Sequence, residues 1–292
     1  MKMMIMKVLR HQSRLKDILC GVRGQHHLTS LHLQVEMEST TPLNYFKLMV
    51  SEDMVASMVA ETNRYASQTL RNKELSPNSQ FRKWVDVTIP EMYAFLGFIL
   101  SMGLIVIDYL EDYWSTDPMF KLPFYTAVMR RERFCLILSF FHLCNNEQFI
   151  PREQPGDDPI FKIRNFVDNL TYNFKSVFCP GERVAIDEAM VAWRGPLSFR
   201  VFNPDKPDKF GIKVFELCDS STVYCCNLEF YTGKQDIVRR LISPYIGCGQ
   251  FLYLSGPVHI LETGEHISLW DDANEQEAWS SQDNGPKFEE RR

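Results

Sequence analysis

Between residues 42 and 178 the apolar side chains recur at helical spacing, and beyond Pro180 and Gly181 they fall into short alternating runs. A helix brings every third or fourth residue to one face and a strand every second, so the pattern predicts a helical region followed by strands. Tyr45 to Tyr65 reads as one helical stretch, with Ser51 placed as a cap ahead of Glu52 and Asp53, whose carboxylates suit the positive end of a helix dipole. No charge interrupts "MYAFLGFILSMGLIVI", residues 92–107. That run is shorter than the roughly 18–20 residues that span a bilayer, and Glu91 and Asp108 flank it rather than basic anchors. It predicts a buried helix with Pro90 in its first turn, and no membrane partner. Pro118 and Pro123 break the chain ahead of a further helix to about Leu143. Ile160, Ile163, Phe166, Val167 and Leu170 mark the apolar face of another.

"RVAID", "FGIKVFELCD" and "TVYCCNLEFY" then read as three strands, separated by the turn-rich "NPDKPDK" and "DSST". "QDIVRRLISPYIG" reads as a helix ended by Gly247, and "QFLYLS" as a short strand. From Gly256 onward the chain is acidic and polar with few periodic apolar positions, which predicts a disordered tail. The N-terminus is basic, acid-poor and loosely amphipathic, like a presequence in composition, and is expected to be a flexible arm. The expected plan is an arm over 1–41, a helical region over 42–178, an α/β region over 179–255 and a tail over 256–292.

A formal net charge of -5 excludes a protein that coats nucleic acid non-specifically, which needs a broadly positive surface, but leaves room for a local basic patch. The eight cysteines form neither a C-x-x-C pair nor a Cys/His cluster at zinc spacing, and read as reduced thiols of an intracellular protein. His26 and His27 have no partner at ligand spacing, so no metal is assigned to them.

Within "VAIDEAMVAWRG", residues 184–195, an otherwise apolar strand carries Asp187 and Glu188. Three strands, a helix and a strand, with an Asp on the first, is the order in which ribonuclease-H-like nucleases begin. There the first Asp joins later acids in holding two divalent metals. Asp187 fits that place; a salt-bridged or edge acidic pair fits the spacing as well.

The text around Asp187 resembles the catalytic-domain opening of piggyBac transposases and the host proteins derived from them. Ile186, Asp187, Glu188 and Met190 match an I/L-D-E-x-M strand, and Arg194 and Gly195 an R-G turn. Pro204, Lys206, Pro207, Lys209, Gly211, Ile212 and Lys213 match a P-x-K-P-x-K-x-G-I-K segment, followed by Cys218, Asp219 and Ser220 of a C-D-S turn. "ETNRYA", "FLGFILSMGL", "DYWSTDP", "RERF" and "FHLCNN" extend the likeness upstream, so that it spans about 42–254.

The resemblance implies an α+β fold: a helical N-terminal region followed by an incomplete ribonuclease-H-like α/β domain. It implies a catalytic set that opens with Asp187 and continues in an L-Y-x-D-N motif. Leu252 and Tyr253 match that motif, but Ser255 and Gly256 stand where Asp and Asn belong. The third acid and the cysteine-rich zinc module of the family are expected later than the chain runs. Asp187 is therefore read as a vestigial catalytic and metal residue, the Mg2+ of active relatives as having no proper cage, and the chain as a shortened, non-enzymatic relative. An unpaired sheet edge and exposed apolar surface are expected of it.

The resemblance also implies phosphate contacts at Arg194, Lys206, Lys209 and Lys213. Among them Phe199, Phe202, Phe210 and Phe215 are expected in the core. A solvated hairpin with Asp205 and Asp208 offsetting the charge fits the same residues. Arg130, Arg131 and Arg133 form a second basic cluster, or a solvated helix face beside Glu132. Asp219 is expected as a solvated turn cap and Asp236 at a helix start. Expected partners are DNA and a second chain, as a homodimer or a heterodimer with intact relatives, in the nucleus. The alternative is an interaction module or a poorly folded remnant; an active metal-dependent transposase is the reading the residues support least.

Overall fold

The computed structural model describes residues 41–71, 74–181, 183–204, 206, 209–233, 237–245 and 253–255. The expected arm, apart from Thr41, and the expected tail lie outside the described residues, as do Asp205, Asp208, Asp236 and Gly247.

Among the described residues the first part has six α-helices, joined by loops and short 3-10 turns: α1 Pro42–Met49, α2 Glu52–Arg71, α3 Ile89–Leu104, α4 Pro123–Val128, α5 Arg131–Phe140 and α6 Phe161–Val177. The single stretch read over Tyr45 to Tyr65 is two helices. Thr41 Oγ1 caps the first by accepting from the Asn44 N–H, and Ser51 Oγ caps the second by accepting from the Met54 N–H at 3.3 Å. A serine that satisfies a free amide begins a helix as it interrupts the one before. Pro123 likewise opens α4 instead of only breaking the chain, since a helix's first turn needs no N–H from it. α5 ends at Phe140, short of Leu143.

α3 is the buried helix that its apolar run predicts: Met92, Phe95, Leu96, Phe98, Ile99 and Met102 are all inside. Its aromatic side chains set the core, Phe98 lying 4.7 Å from the rings of Tyr125 and Phe134 and 4.9 Å from Trp114, and Phe95 lying 5.5 Å from Phe141. Burying one such side chain contributes roughly 1.5–3 kcal/mol. Among the described residues no helix is long and apolar enough to cross a membrane.

The second part is a sheet of β1 Arg183–Ala192, β2 Val201–Phe202, β3 Phe210–Asp219, β4 Cys225–Phe230 and β5 Tyr253–Ser255, with helix α7 Ile237–Ile242 between the last two. β1 pairs antiparallel with β3, β3 antiparallel with β4, and β5 parallel with β1. β1 runs on past "RVAID" to Ala192. β2 is a strand just ahead of the turn-rich "NPDKPDK", where none was expected, and it pairs with the start of β3. β3 can approach β1 closely only because residue 211 is glycine: a Cβ there would sit 2.6 Å from the Val191 carbonyl oxygen.

The two faces of the sheet have different covers. Val191, Ile212, Val214, Leu228 and Phe230 join the core of the helical part, with Phe166, Leu170 and Phe174 of α6 in the same cluster. Val184, Ile186, Leu217 and Cys226 pack with Ile237, Leu241 and Ile242 of α7. Tyr224 ties the layers at one edge, its hydroxyl donating to the Phe174 carbonyl at 3.1 Å. The architecture is α+β, a helical part on one face of a mainly antiparallel sheet.

A candidate metal and nucleic-acid site on the sheet

Alternation along β1 and β3 decides which charged groups meet. Asp187 lies opposite Glu216, and Ala185 opposite Cys218, on the face shared with the helical part. Glu188 lies opposite Phe215, on the face that α7 covers. The adjacent acids of the sequence are therefore split between the two sides of the sheet.

Glu188 is a structural acid. Its carboxylate pairs with Lys213, whose ammonium lies 4.7 Å from the centre of the Phe215 ring and 5.7 Å from that of Tyr231. Lys206 Nζ donates to the Glu188 carbonyl at 3.2 Å. Lys213, read as a phosphate contact, thus already holds a carboxylate, on the opposite face from Asp187. The salt-bridged half of the acidic pair was open in the sequence; the aromatic walls around it were not.

Asp187 is exposed, and Glu216 across from it is half-buried. Burial, and after it the Asp187 charge, pushes the Glu216 carboxyl above the usual range. Cys218 follows Glu216 on the same face of β3, and Cys225 of β4 pairs opposite Cys218, at an irregularity in the ladder. The donor atoms of Glu216, Cys218 and Cys225 all lie within 4.8 Å of one another. Contact with the Cys218 thiol, then burial and Glu216, push the Cys225 thiol well above its ordinary value. No linear spacing announces this trio. Period-two placement of Glu216 and Cys218 is the one signal the sequence held, and it becomes a cluster only once β3 pairs with β1 and β4.

β5 brings Ser255 opposite Ala185, two positions from Asp187 on β1. The two-magnesium arrangement implied by the resemblance does not fit the described residues here. Mg2+ takes hard oxygen ligands in octahedral geometry, whereas Asp187 is joined by one half-buried carboxyl flanked by two thiols, and residue 255 has no carboxylate to give.

Asp219 is buried, at 2% exposure, rather than solvated. Oδ1 accepts from the N–H and hydroxyl of both Ser221 and Thr222, and Oδ2 from the Gly181 N–H at 2.8 Å. Burial works to raise this carboxyl, but the hydrogen bonds together outweigh it and hold the group below its ordinary range. Asp219 joins the entry to β1 to the β3–β4 turn and is saturated by those contacts.

The basic residues divide similarly. Arg194 and Lys209 are exposed. Arg200 donates to the Arg194 carbonyl at 3.1 Å and lies over the Phe210 ring, 5.6 Å from its centre. Gly195 is needed at this turn, where a Cβ would stand 2.8 Å from the Trp193 ring. Of the phenylalanines expected in the core only Phe199 is fully buried; Phe202 and Phe210 are 55% and 46% exposed and pack on one another at 4.8 Å. They belong to the short β2–β3 hairpin, which only two residue pairs join, and this explains the difference. In the second cluster Arg133 grips Glu91 with two hydrogen bonds of 2.6 and 2.7 Å and lies 5.1 Å from the Trp84 ring centre, so it braces α5 to α3.

A family profile described as Transposase IS4 matches residues 41–255. The human piggyBac transposable element-derived protein 5 is 28% identical over 153 residues, which is 52% of this chain and 27% of that protein. The human piggyBac transposable element-derived protein 2 is 26% identical over 181 residues, 62% of this chain and 28% of that protein. The chain thus spans under a third of the length of these curated relatives. Among solved structures, a piggyBac transposase in a synaptic complex with hairpin DNA, determined by cryo-electron microscopy, superposes with a TM-score of 0.58 at 26% identity, over 73% of this chain and 45% of that one. With the profile covering most of the chain, and the fold and the relatives agreeing, the chain belongs to the Transposase IS4 family and is related to the piggyBac transposases and the proteins derived from them.

Proposed function

We propose that this chain is a transposase-derived nuclear protein that does not cut DNA strands and keeps contact with DNA. The observation that carries the reading is the register of β5: Ser255, opposite Ala185 beside Asp187, stands where the family motif places its second carboxylate. In-line phosphodiester chemistry needs two metal ions about 3.5–4 Å apart, and one exposed Asp with a half-buried, thiol-flanked Glu is a poor cage for them. Support for DNA contact comes from the exposed Arg194 and Lys209 beside the paired rings of Phe202 and Phe210, a surface of cations and aromatic faces. The solved relative bound to hairpin DNA points the same way.

The test is purified chain incubated with linear and hairpin-ended DNA duplexes and Mg2+ or Mn2+. No nicking is expected; nicking that Asp187→Ala abolishes overturns the proposal.

A second reading, as a partner-binding module, is favoured by the exposed apolar residues Ile105, Val106, Tyr109, Met119 and Phe120 between α3 and α4 and Phe124 in the first turn of α4, of which Val106 and Met119 are 78% and 81% exposed. Sedimentation of the purified chain separates it from the first: a monomer across the micromolar range counts against self-pairing.

A further inference from the structure

The donors beside Asp187 suit a different ion from the one the fold family employs. We propose that Glu216, Cys218 and Cys225 form a zinc-binding site that staples β3 to β4. The proposal does not rest on the DNA reading, and either can fail alone.

Three observations lead to it. The two thiols face each other across the strand pair, Cys218 opposite Cys225, and Glu216 precedes Cys218 by two residues on the same face of β3. Their donor atoms already lie within 4.8 Å of one another. A tetrahedral Zn2+ with bonds of about 2.0–2.3 Å asks for ligand separations of about 3.5–3.8 Å, so side-chain adjustment of the order of an ångström closes the site. All three residues are half-buried, which limits hydration of the site.

The donor chemistry selects the ion. Two thiolates with one carboxylate form a soft-to-borderline set, which suits Zn2+ and discriminates against Mg2+ and Ca2+. On binding, the two thiol protons, and the Glu216 proton where its carboxyl carries one, leave to solvent as two S–Zn bonds and one O–Zn bond form; no electron moves. Water completes the tetrahedron, as in three-ligand zinc sites. The ion also relieves the local charge pattern, in which Asp187 stands directly opposite Glu216. Cys226 belongs to a different environment, buried on the other face with Val184 and Leu217.

The test uses the full chain, reduced and freed of metal with a chelator. Zinc affinity is measured by competition with a chromophoric chelator, and Co2+ is added as a spectroscopic stand-in. The expected result is one ion per chain, thiolate-to-cobalt charge-transfer absorption, and a rise in Tm with zinc. Cys218→Ser and Cys225→Ser should each weaken zinc by at least about tenfold, while Cys135→Ser and Cys144→Ser leave it unchanged. Glu216→Gln, which removes a ligand without disturbing the strand pair, should weaken zinc while keeping the apo fold. Absence of stoichiometric zinc overturns the proposal, as does zinc indifferent to Cys218, Cys225 and Glu216. So does a Cys218–Cys225 disulfide that forms equally fast with and without zinc.

Discussion

Asp187 and Glu216 are directly opposed on β1 and β3, two carboxyl groups on the same face of an antiparallel pair. Like charges at such positions repel, and at Glu216, the half-buried member, burial and after it the Asp187 charge push the carboxyl above its ordinary value. A carboxyl whose folded-state value is raised binds its proton more tightly in the native chain than in the unfolded one. Its contribution is therefore full below the ordinary value of 4.5 and is lost as pH rises through the folded value. Glu216→Gln removes that loss. In chelator, the variant should melt above the parent at neutral pH, and the two curves should converge in acid. A parent whose Tm rises at least as steeply as the variant's through this window would contradict the assignment.

Asp219 has the opposite linkage. Its carboxyl is held below the ordinary value of 3.8, so its stabilisation is present above 3.8 and is lost as pH falls through the folded value. In Asp219→Asn the amide group cannot accept the Gly181 N–H while the oxygen keeps the Ser221 and Thr222 donors. A buried donor left without its acceptor costs about 1–3 kcal/mol. Denaturant titration of the variant should show a loss of that size at neutral pH that shrinks in acid. A neutral substitution would mean that the turn does not hold β1 to β3.

How much of this was legible in advance differs by element. α3 was plain from its charge-free apolar run, and α6 from spacing, because a helix buried on one face writes its contacts at three and four residues. The division at Ser51 was half-visible: the cap was read but not the helix that ends before it. β2 was hidden, since two residues ahead of a Pro-rich turn carry no period, and the exposure of Phe202 and Phe210 followed from the same blind spot. Asp187 could be found by strand position and motif, but Glu216, Cys218 and Cys225 needed the register of three strands. Lys213 looked like a surface cation because its partner, Glu188, is 25 residues away in sequence and adjacent only across the sheet.

Val223 follows the Asp219 turn with φ 57°, a left-handed conformation that a β-branched residue adopts only under constraint. Its N–H is held by the Asp219 carbonyl at 2.7 Å, and its side chain is 44% exposed, so the position gains little from burial. Such strain costs about 1–3 kcal/mol, and Asn tolerates the conformation better. Val223→Asn should therefore stabilise the protein, each 1 kcal/mol raising Tm by about 2–4 °C. A fall in Tm would show that the valine methyls contribute more than the backbone loses.

The four cations assigned to phosphate contact make unequal predictions, because their surroundings differ. Each phosphate that a cation neutralises on duplex DNA releases counterions, so deleting one such cation should make the slope of log affinity against log salt shallower by about 0.9. Arg194 and Lys209 are exposed, and Arg194→Ala and Lys209→Ala should each flatten the slope by about that amount with little change in Tm. Lys213 is bound to Glu188 between Phe215 and Tyr231, so Lys213→Ala should lower Tm, by stranding a partly buried carboxylate, and leave the slope unchanged. Lys206, which donates to the Glu188 carbonyl, belongs between the two. Fluorescence anisotropy of a labelled DNA duplex over a salt series, with thermal melts of the same samples, reads both quantities. If Lys213→Ala flattened the slope while Lys209→Ala did not, the nucleic-acid surface would lie on the α7 side of the sheet, and the hairpin would be excluded from it.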